Sequence, residues 1–375
     1  MRVISYVHPI RTYLPCTGVG RHINQILLGL NQKEEINLQL LFSQQWLGED
    51  GKLPSNCPLR EIPSITFPRA ENATERSWKL LGYPSMDKYL PHDVDWLYAP
   101  METYIPVSKC PVAVTIHDIQ AFENNLPWSN TWQHRWFAYK WGKWIKKALR
   151  DCRIVFTVSE FSKGRMVKLL GADADKIVVV GNGVDRTFFD IKAIDRETLK
   201  PPINLPYTVI IGGLKKKKGA DYVLSVAQEL KKIKSNLQIV VAGTNEVEYE
   251  QKVKNLDNIH ILGLVSDDDL PSLVRCASSL LFLSLYEGFG IPVLEAMATG
   301  TPVIVSNCAS LPEIVDTAGI ILNPENTQEI CDSLIQIEKN TQLREYYSQV
   351  GQERAKTYTW SKYVDLVQKA LYSYS

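Results

Sequence analysis

The stretch Tyr286-Glu287-Gly288-Phe289-Gly290-Ile291-Pro292-Val293-Leu294-Glu295-Ala296-Met297-Ala298-Thr299-Gly300-Thr301-Pro302-Val303-Ile304-Val305 decides how the rest of the chain is read. The apolar run Leu280 to Leu283 before it reads as a buried strand. A glycine-bearing turn follows, Pro292 opens a helix at its first turn, and a second buried strand begins at Pro302. Glu287 stands just past a strand's carboxyl end, where open α/β sheets hold their ligands, and Glu295 follows on the first turns of the helix. Gly288 and Gly290 let a ligand come close to the backbone, and the amides from Phe289 to Ile291 at the helix start favour an anion. The turn therefore offers amides to an anionic group and carboxylates to hydroxyls.

Outward from this unit, strand-like runs alternate with helical patterns along almost the whole chain, which predicts parallel sheets covered on both faces. In the first half the strands are expected at Val3 to Val7, Leu38 to Phe42, Asp95 to Ala99, Val112 to Ile116, Ile154 to Val158 and Ile177 to Val180. In the second they are expected at Thr208 to Ile211, Gln238 to Ala242, Ile259 to Leu262, Leu280 to Leu283, Val303 to Val305 and Ile320 to Leu322. Gln44 to Pro91, rich in Pro, Asn and Ser and weakly periodic, reads as an irregular insertion. Pro201, Pro202 and Pro206 mark a linker over 191–206, between a first domain at 1–190 and a second at 207–357. The fold class is thus α/β, with two doubly wound Rossmann-like domains and a cleft between their strand ends as the expected ligand site.

A length of 375 residues suits two domains that each bury a core, and a net charge of +1 provides no global field for nucleic acid. No apolar run approaches the roughly 20 residues of a membrane span, and no secretory signal is legible at Met1 to Val7, so a cytoplasmic protein is expected. Seven cysteines without a C-x-x-C pair suit reduced thiols rather than disulfides or zinc. The patterns Asp93-Val94-Asp95 and Asp173-Ala174-Asp175 fall away from the expected strand ends, and no metal requirement is expected.

Two glutamates eight positions apart inside Glu-Gly-Phe-Gly-Ile-Pro, followed by Glu-Ala-Met-Ala-x-Gly-x-Pro-Val, resemble the signature of retaining glycosyltransferases of the GT-B fold, specifically family 4. The resemblance implies a nucleotide diphosphate sugar as donor, with no other cofactor. Glu295 would hold the ribose hydroxyls and Glu287 those of the sugar. It also implies that the last segment, 358–375, is a terminal helix returning to the first domain. The glycine-rich start Thr17-Gly18-Val19-Gly20-Arg21-His22 is similar to the family's loop near the donor phosphates, so Gly18 and Gly20 become donor-side candidates; a helix start needing conformational freedom is the plain alternative.

His117, at the end of the run Val112 to Ile116, resembles the histidine of the family's His-Asp pair and is the expected catalytic-region residue of the first domain, orienting the sugar. The other histidines carry no partner pattern. Ser159 reads as a helix N-cap and is also similar to the family's Val-Ser-x-x-Ser element. The run Ile211-Gly212-Gly213-Leu214-Lys215-Lys216-Lys217-Lys218-Gly219 is either a solvated loop or a phosphate grip at a strand-to-helix handover. The resemblance assigns Lys217 and Lys218 to the diphosphate; Lys218 matches the family lysine, Lys217 stands where an arginine is often found, an exchange of a bidentate guanidinium for an ammonium, and Gly213 replaces the arginine of another family variant. Gly243 and Val265 are similar to the family's neighbourhood of the nucleotide base.

Trp132, Trp136, Trp141 and Trp144 interleave with Arg135, Lys140, Lys143, Lys146, Lys147 and Arg150. The segment 132–150 is either an interfacial helix on anionic lipid, peripheral at the inner face of the membrane, or a core helix with a basic polar face; the next strand's need for a covering helix argues for the second. The expected reaction moves a hexose onto a hydroxyl of a saccharide or lipid-linked saccharide. Resemblance to bacterial mannosyltransferases of polysaccharide synthesis points to GDP-mannose as donor, with a UDP-sugar as the alternative. A nucleotide-sugar epimerase and a non-catalytic nucleotide-sugar-binding protein are the rivals from other classes.

Overall fold

The computed structural model describes residues 1–13, 17–191 and 198–374. Cys16 and part of the expected linker, 192–197, lie outside the described residues. The chain divides into two compact units, Met1–Asn182 with Trp360–Ser375, and Gly183–Thr359.

The first unit is built on seven parallel strands: β1 (Arg2–Tyr6), β2 (Asn37–Ser43), β3 (Ser64–Phe67), β4 (Trp96–Ala99), β5 (Val112–Thr115), β6 (Ile154–Thr157) and β7 (Ile177–Val179), ordered β3-β2-β1-β4-β5-β6-β7. Each expected strand is present to within a residue or two at either end. The strands read as unbroken apolar runs because both faces of a parallel sheet are covered; Val3, Ile4 and Tyr6 of β1 are all fully buried.

The expectation of an irregular segment from Gln44 to Pro91 is corrected. That segment contains β3 and an eleven-residue helix, Glu71–Leu81. The helix buries Glu71, Thr74, Glu75, Ser77 and Trp78, so its inward face is mostly polar. Leu80 and Leu81 of this helix are exposed, so its apolar residues do not mark its buried face.

The second unit holds six parallel strands: β8 (Tyr207–Ile211), β9 (Gln238–Ala242), β10 (Ile259–Gly263), β11 (Ser279–Phe282), β12 (Val303–Ser306) and β13 (Ile320–Leu322), ordered β10-β9-β8-β11-β12-β13. Its core joins Val226 and Leu230 of the helix Ala220–Lys232 to Val241, Leu281 and Ile304 of the sheet and Ile330 and Leu334 of the helix Thr327–Lys339.

The unit boundary falls at Asn182 and Gly183, earlier than the residue 190 read from the prolines, because the short helix Arg186–Asp190 packs against Ile291–Thr299 of the second unit and buries Phe188. The terminal helix Trp360–Ser373 belongs to the first unit. It packs on the helix Gly18–Asn31, where Val364 sits so close to Gly29 that a Cβ there would lie 2.4 Å from its Cγ2, and Lys33 pairs with Asp365 at 2.5 Å.

Candidate active site

In the second sheet the chain winds one way from β8 to β9 and the other way from β8 to β11, so the crevice outside the carboxyl ends of β8 and β11 is the topological switch point. Two loops border it, 212–219 after β8 and 283–290 after β11. They carry the lysine run and the first glutamate of the motif. Lys218 Nζ lies 2.5 Å from Glu287 Oε1, with both side chains partly exposed, and 5.0 Å from the centre of the Phe282 ring. A charge-assisted contact on residues 69 apart in sequence thus joins the two expected ligand-gripping elements.

The loops touch through backbone as well. Leu285 N donates to Lys217 O at 2.9 Å, and Gly219 packs so tightly that a Cβ would lie 2.1 Å from Leu283 O. Gly219 has φ +74°, and Gly213, with φ +76°, abuts Thr244 in the same way. The amides of Gly212 and Gly213 both donate to Ala242 O, at 2.8 and 3.0 Å, and Gly243 N donates to Gly263 O at 2.6 Å. Gly213 and Gly243 therefore fasten the loops after β8, β9 and β10 to one another, which is a packing reason for glycine at both. Lys216 is exposed, whereas Lys217 and Lys218 are half-buried, so the run is not simply a solvated loop.

On the β11 side, Gly290 takes φ +119° as the cap of the helix Ile291–Thr299. The buried hydroxyl of Ser310 lies 2.7 Å from Phe289 O and 3.0 Å from Glu287 O, holding the turn by its carbonyls. Phe289 is buried, and Gly288 and Ile291 flank the same turn. Glu295 is 2% exposed on the second turn of that helix, far less accessible than a ribose ligand read from sequence suggests. Val265 is half-buried in the segment after β10.

In the first sheet the switch point lies between β1 and β4. His117, just after β5, is 7% exposed; its amide donates to Glu102 Oε1 at 2.8 Å and its Nε2 lies 3.3 Å from Pro100 O. His22 stands edge-on to it, ring centres 4.7 Å apart at 89°. The Nδ1 of His22 is 2.8 Å from Asn182 Oδ1, so Nδ1 carries the proton in that contact. Burial, reinforced by His117, holds the His22 pKa well below the usual histidine value and keeps the ring neutral.

Ser159 caps the helix Glu160–Leu170 by accepting from Ser162 N at 3.1 Å, and Ser162 Oγ in turn donates to His117 O at 3.2 Å. Gly18 and Gly20 open the helix Gly18–Asn31 behind the Thr17 cap, without positive φ, so conformational freedom is not what requires them. Asp93 and Asp95 are engaged by Arg2 at the amino end of β1, and Asp173 caps a short turn over Ala174–Lys176. Among the described residues, no three His, Cys, Asp or Glu side chains gather as a metal cluster would.

Three participants escaped the sequence reading. His22 had no partner until the fold placed it against His117. Glu102 follows β4, and the strand-edge rule that singled out His117 applies to it equally. Glu71 is fully buried and accepts from Ser43 N at 2.9 Å and Trp46 Nε1 at 3.0 Å, and burial pushes its pKa up to about 7.

Residues 17–188 match the family model described as Glycosyltransferase Family 4, and residues 191–354 the one described as Glycosyl transferases group 1. The O-antigen chain mannosyltransferase B of Escherichia coli is 25% identical over 375 aligned positions, covering 96% of each chain. The O-antigen chain mannosyltransferase RfbU of Salmonella typhimurium is 30% identical over 232, covering 60% of each. Among solved structures, the sucrose-phosphate synthase of Thermosynechococcus elongatus superposes with a TM-score of 0.72 at 15% identity over the whole of both chains. The Anabaena HepE protein, in complex with UDP and glucose, superposes with 0.68 at 16% identity over 99% of both. These two likenesses bear on the fold alone.

Proposed function

The chain belongs to the GT-B glycosyltransferases, its first half of the family 4 type and its second of group 1, and from that premise we propose that it transfers mannose from GDP-mannose to a hydroxyl of a saccharide or lipid-linked saccharide, with retention of anomeric configuration. The observation that carries the reading is the 2.5 Å contact between Lys218 and Glu287 at the switch point of the second sheet. The choice of mannose rests on the names of relatives at modest identity.

As the glycosidic bond breaks, the diphosphate gathers negative charge, and Lys218, Lys217 and the turn amides from Phe289 to Ile291 are the groups that would meet it. An incoming diphosphate competes with Glu287 for the Lys218 ammonium. Each exchange releases a carboxylate oxygen of Glu287 to accept from sugar hydroxyls, so donor binding and sugar recognition are coupled through one ion pair. His117 is assigned the orienting role toward the sugar. Because the lysines supply the positive charge that a divalent cation would otherwise bring, transfer is proposed to need no metal.

Thermal-shift titration with GDP-mannose, UDP-glucose and ADP-glucose, followed by a transfer assay with the donor that binds, tests the reading. A raised melting temperature with GDP-mannose alone, and loss of that shift in Lys218→Ala, support it. A shift confined to the UDP-sugar would replace the donor, and release of an isomerised nucleotide sugar without acceptor would make the enzyme an epimerase.

A further inference from the structure

The helix Trp132–Asp151 has two unlike faces. At 100° per residue, Trp132, Trp136, Tyr139, Lys143, Lys146 and Arg150 fall along one stripe. Trp141, Ile145 and Ala148 fall opposite, and of these Ile145 and Ala148 are fully buried. The reading of a core helix with a basic face therefore holds for the second half only. From Trp132 to Lys140 no residue is buried; Trp132 is 73% exposed, Trp136 55% and Tyr139 63%. A monomeric protein rarely leaves three large rings on one stripe in water.

The charge on this helix is as one-sided as its shape. It holds six Lys and Arg and a single acid, Asp151, which Arg150 pairs at 2.7 Å; its net charge of +5 leaves the rest of the chain at −4, since the whole is +1. The cations sit on the rings themselves: Lys140 Nζ is 3.2 Å from the centre of the Trp136 ring and Lys143 Nζ 4.8 Å from that of Tyr139. The neighbouring helix Glu71–Leu81 ends beside it, with Lys79 Nζ 5.1 Å from the Trp144 ring, and adds Leu80, Leu81 and Tyr83, each at least 67% exposed.

We propose that this stripe docks the protein on an anionic lipid bilayer, with Trp132, Trp136 and Tyr139 entering the headgroup region and the lysines meeting lipid phosphates. Aromatic rings that are apolar in body and polar at one edge settle at that depth, and lysine stems follow them while their ammonium groups stay among the phosphates. A protein partner is the poorer fit, because lysine is depleted at protein interfaces and the stripe offers no acidic group to set a register. No helix among the described residues is long and apolar enough to cross a membrane, so this contact would be peripheral. The inference is independent of the donor assignment above, and either can fail alone.

The test is co-sedimentation of the full chain with vesicles of phosphatidylcholine, with and without about 30% phosphatidylglycerol, at low and high salt. The bound fraction should rise about tenfold with the anionic lipid and fall with salt, and Trp132 and Trp136 emission should shift to the blue. Trp132→Ser with Trp136→Ser should lower binding about tenfold, and Lys140→Gln, Lys143→Gln and Lys146→Gln together should remove the dependence on phosphatidylglycerol. All these positions are exposed, so the thermal midpoint should stay unchanged. Failure to bind phosphatidylglycerol vesicles, or equal binding by wild type and both variants, overturns the proposal. So does a dimer in light scattering that Trp132→Ser with Trp136→Ser dissociates, since the stripe would then belong to a second copy of the chain.

Discussion

At the carboxyl edge of the second sheet the polar side chains are partly exposed and joined by an ionic contact, Lys218 to Glu287. At the corresponding edge of the first sheet His22 lies buried and neutral, edge-on to His117, and Glu71 is buried and bonded by Ser43 and Trp46, its pKa raised by burial. Both arrangements occupy the place where a parallel sheet leaves room for a ligand, and they suit different work. A partly hydrated ion pair exchanges partners at low cost, so a charged ligand can open it. Buried groups lose too much solvation to change charge freely, so they fix shape and position instead. The contrast supports the proposal that the second unit grips a charged ligand while the first holds a fixed surface.

Removing the exchangeable cation is the most direct way to break the contrast. Lys218→Ala should lower kcat/KM for transfer by about 10²- to 10³-fold, while Lys218→Arg keeps the charge and recovers part of it. Full activity in the alanine variant, with an unchanged melting temperature, would end the ligand-gripping reading of this edge. Next in size is the backbone that carries the lysine. Gly219→Ala forces a Cβ against Leu283 O at φ +74° and should destabilise the second unit by about 3 kcal/mol, seen as a lower denaturant midpoint.

The first edge is sharpened by pH. The Glu71 carboxyl has its pKa raised by burial to about 7, against about 4.5 when unfolded. Between these values the folded state binds the extra proton, so stability is full below about pH 4.5 and declines as pH rises through 7. Glu71→Gln keeps an oxygen for Ser43 N and Trp46 Nε1 and carries no charge. It should flatten that decline, gaining about 3 kcal/mol over wild type at pH 8 in thermal or urea unfolding. Equal slopes in the two proteins would show that burial does not raise the Glu71 pKa. The smallest effect expected is none: EDTA should leave the transfer rate unchanged, and restoration of a lost rate by Mg²⁺ would move the diphosphate's neutralisation from the lysines to a metal.

Much of this was legible in the chain before folding. Twelve of the strands announce themselves as apolar runs, because two-sided burial in a parallel sheet leaves little alternative composition. The exception, β3, precedes a helix that buries Glu71, Thr74, Glu75 and Ser77 while exposing Leu80 and Leu81, so the apolar residues there do not point to the buried face. The motif around Glu287 and the lysine run were readable one by one. That Lys218 meets Glu287 follows from the neighbouring of β8 and β11, which no local pattern states.

Local composition and period were enough to establish two doubly wound units, the turn at Glu287 and the basic loop at Lys218, because burial and turn geometry act on residues close together in sequence. Which of these groups touch, that His22 lies against His117 and is kept neutral, and that Trp132 and Trp136 face outward while Trp144 is covered, came from packing. Those contacts join residues that are distant along the chain, and desolvation acts on whatever the packing encloses, so only the assembled sheets and helices could assign them.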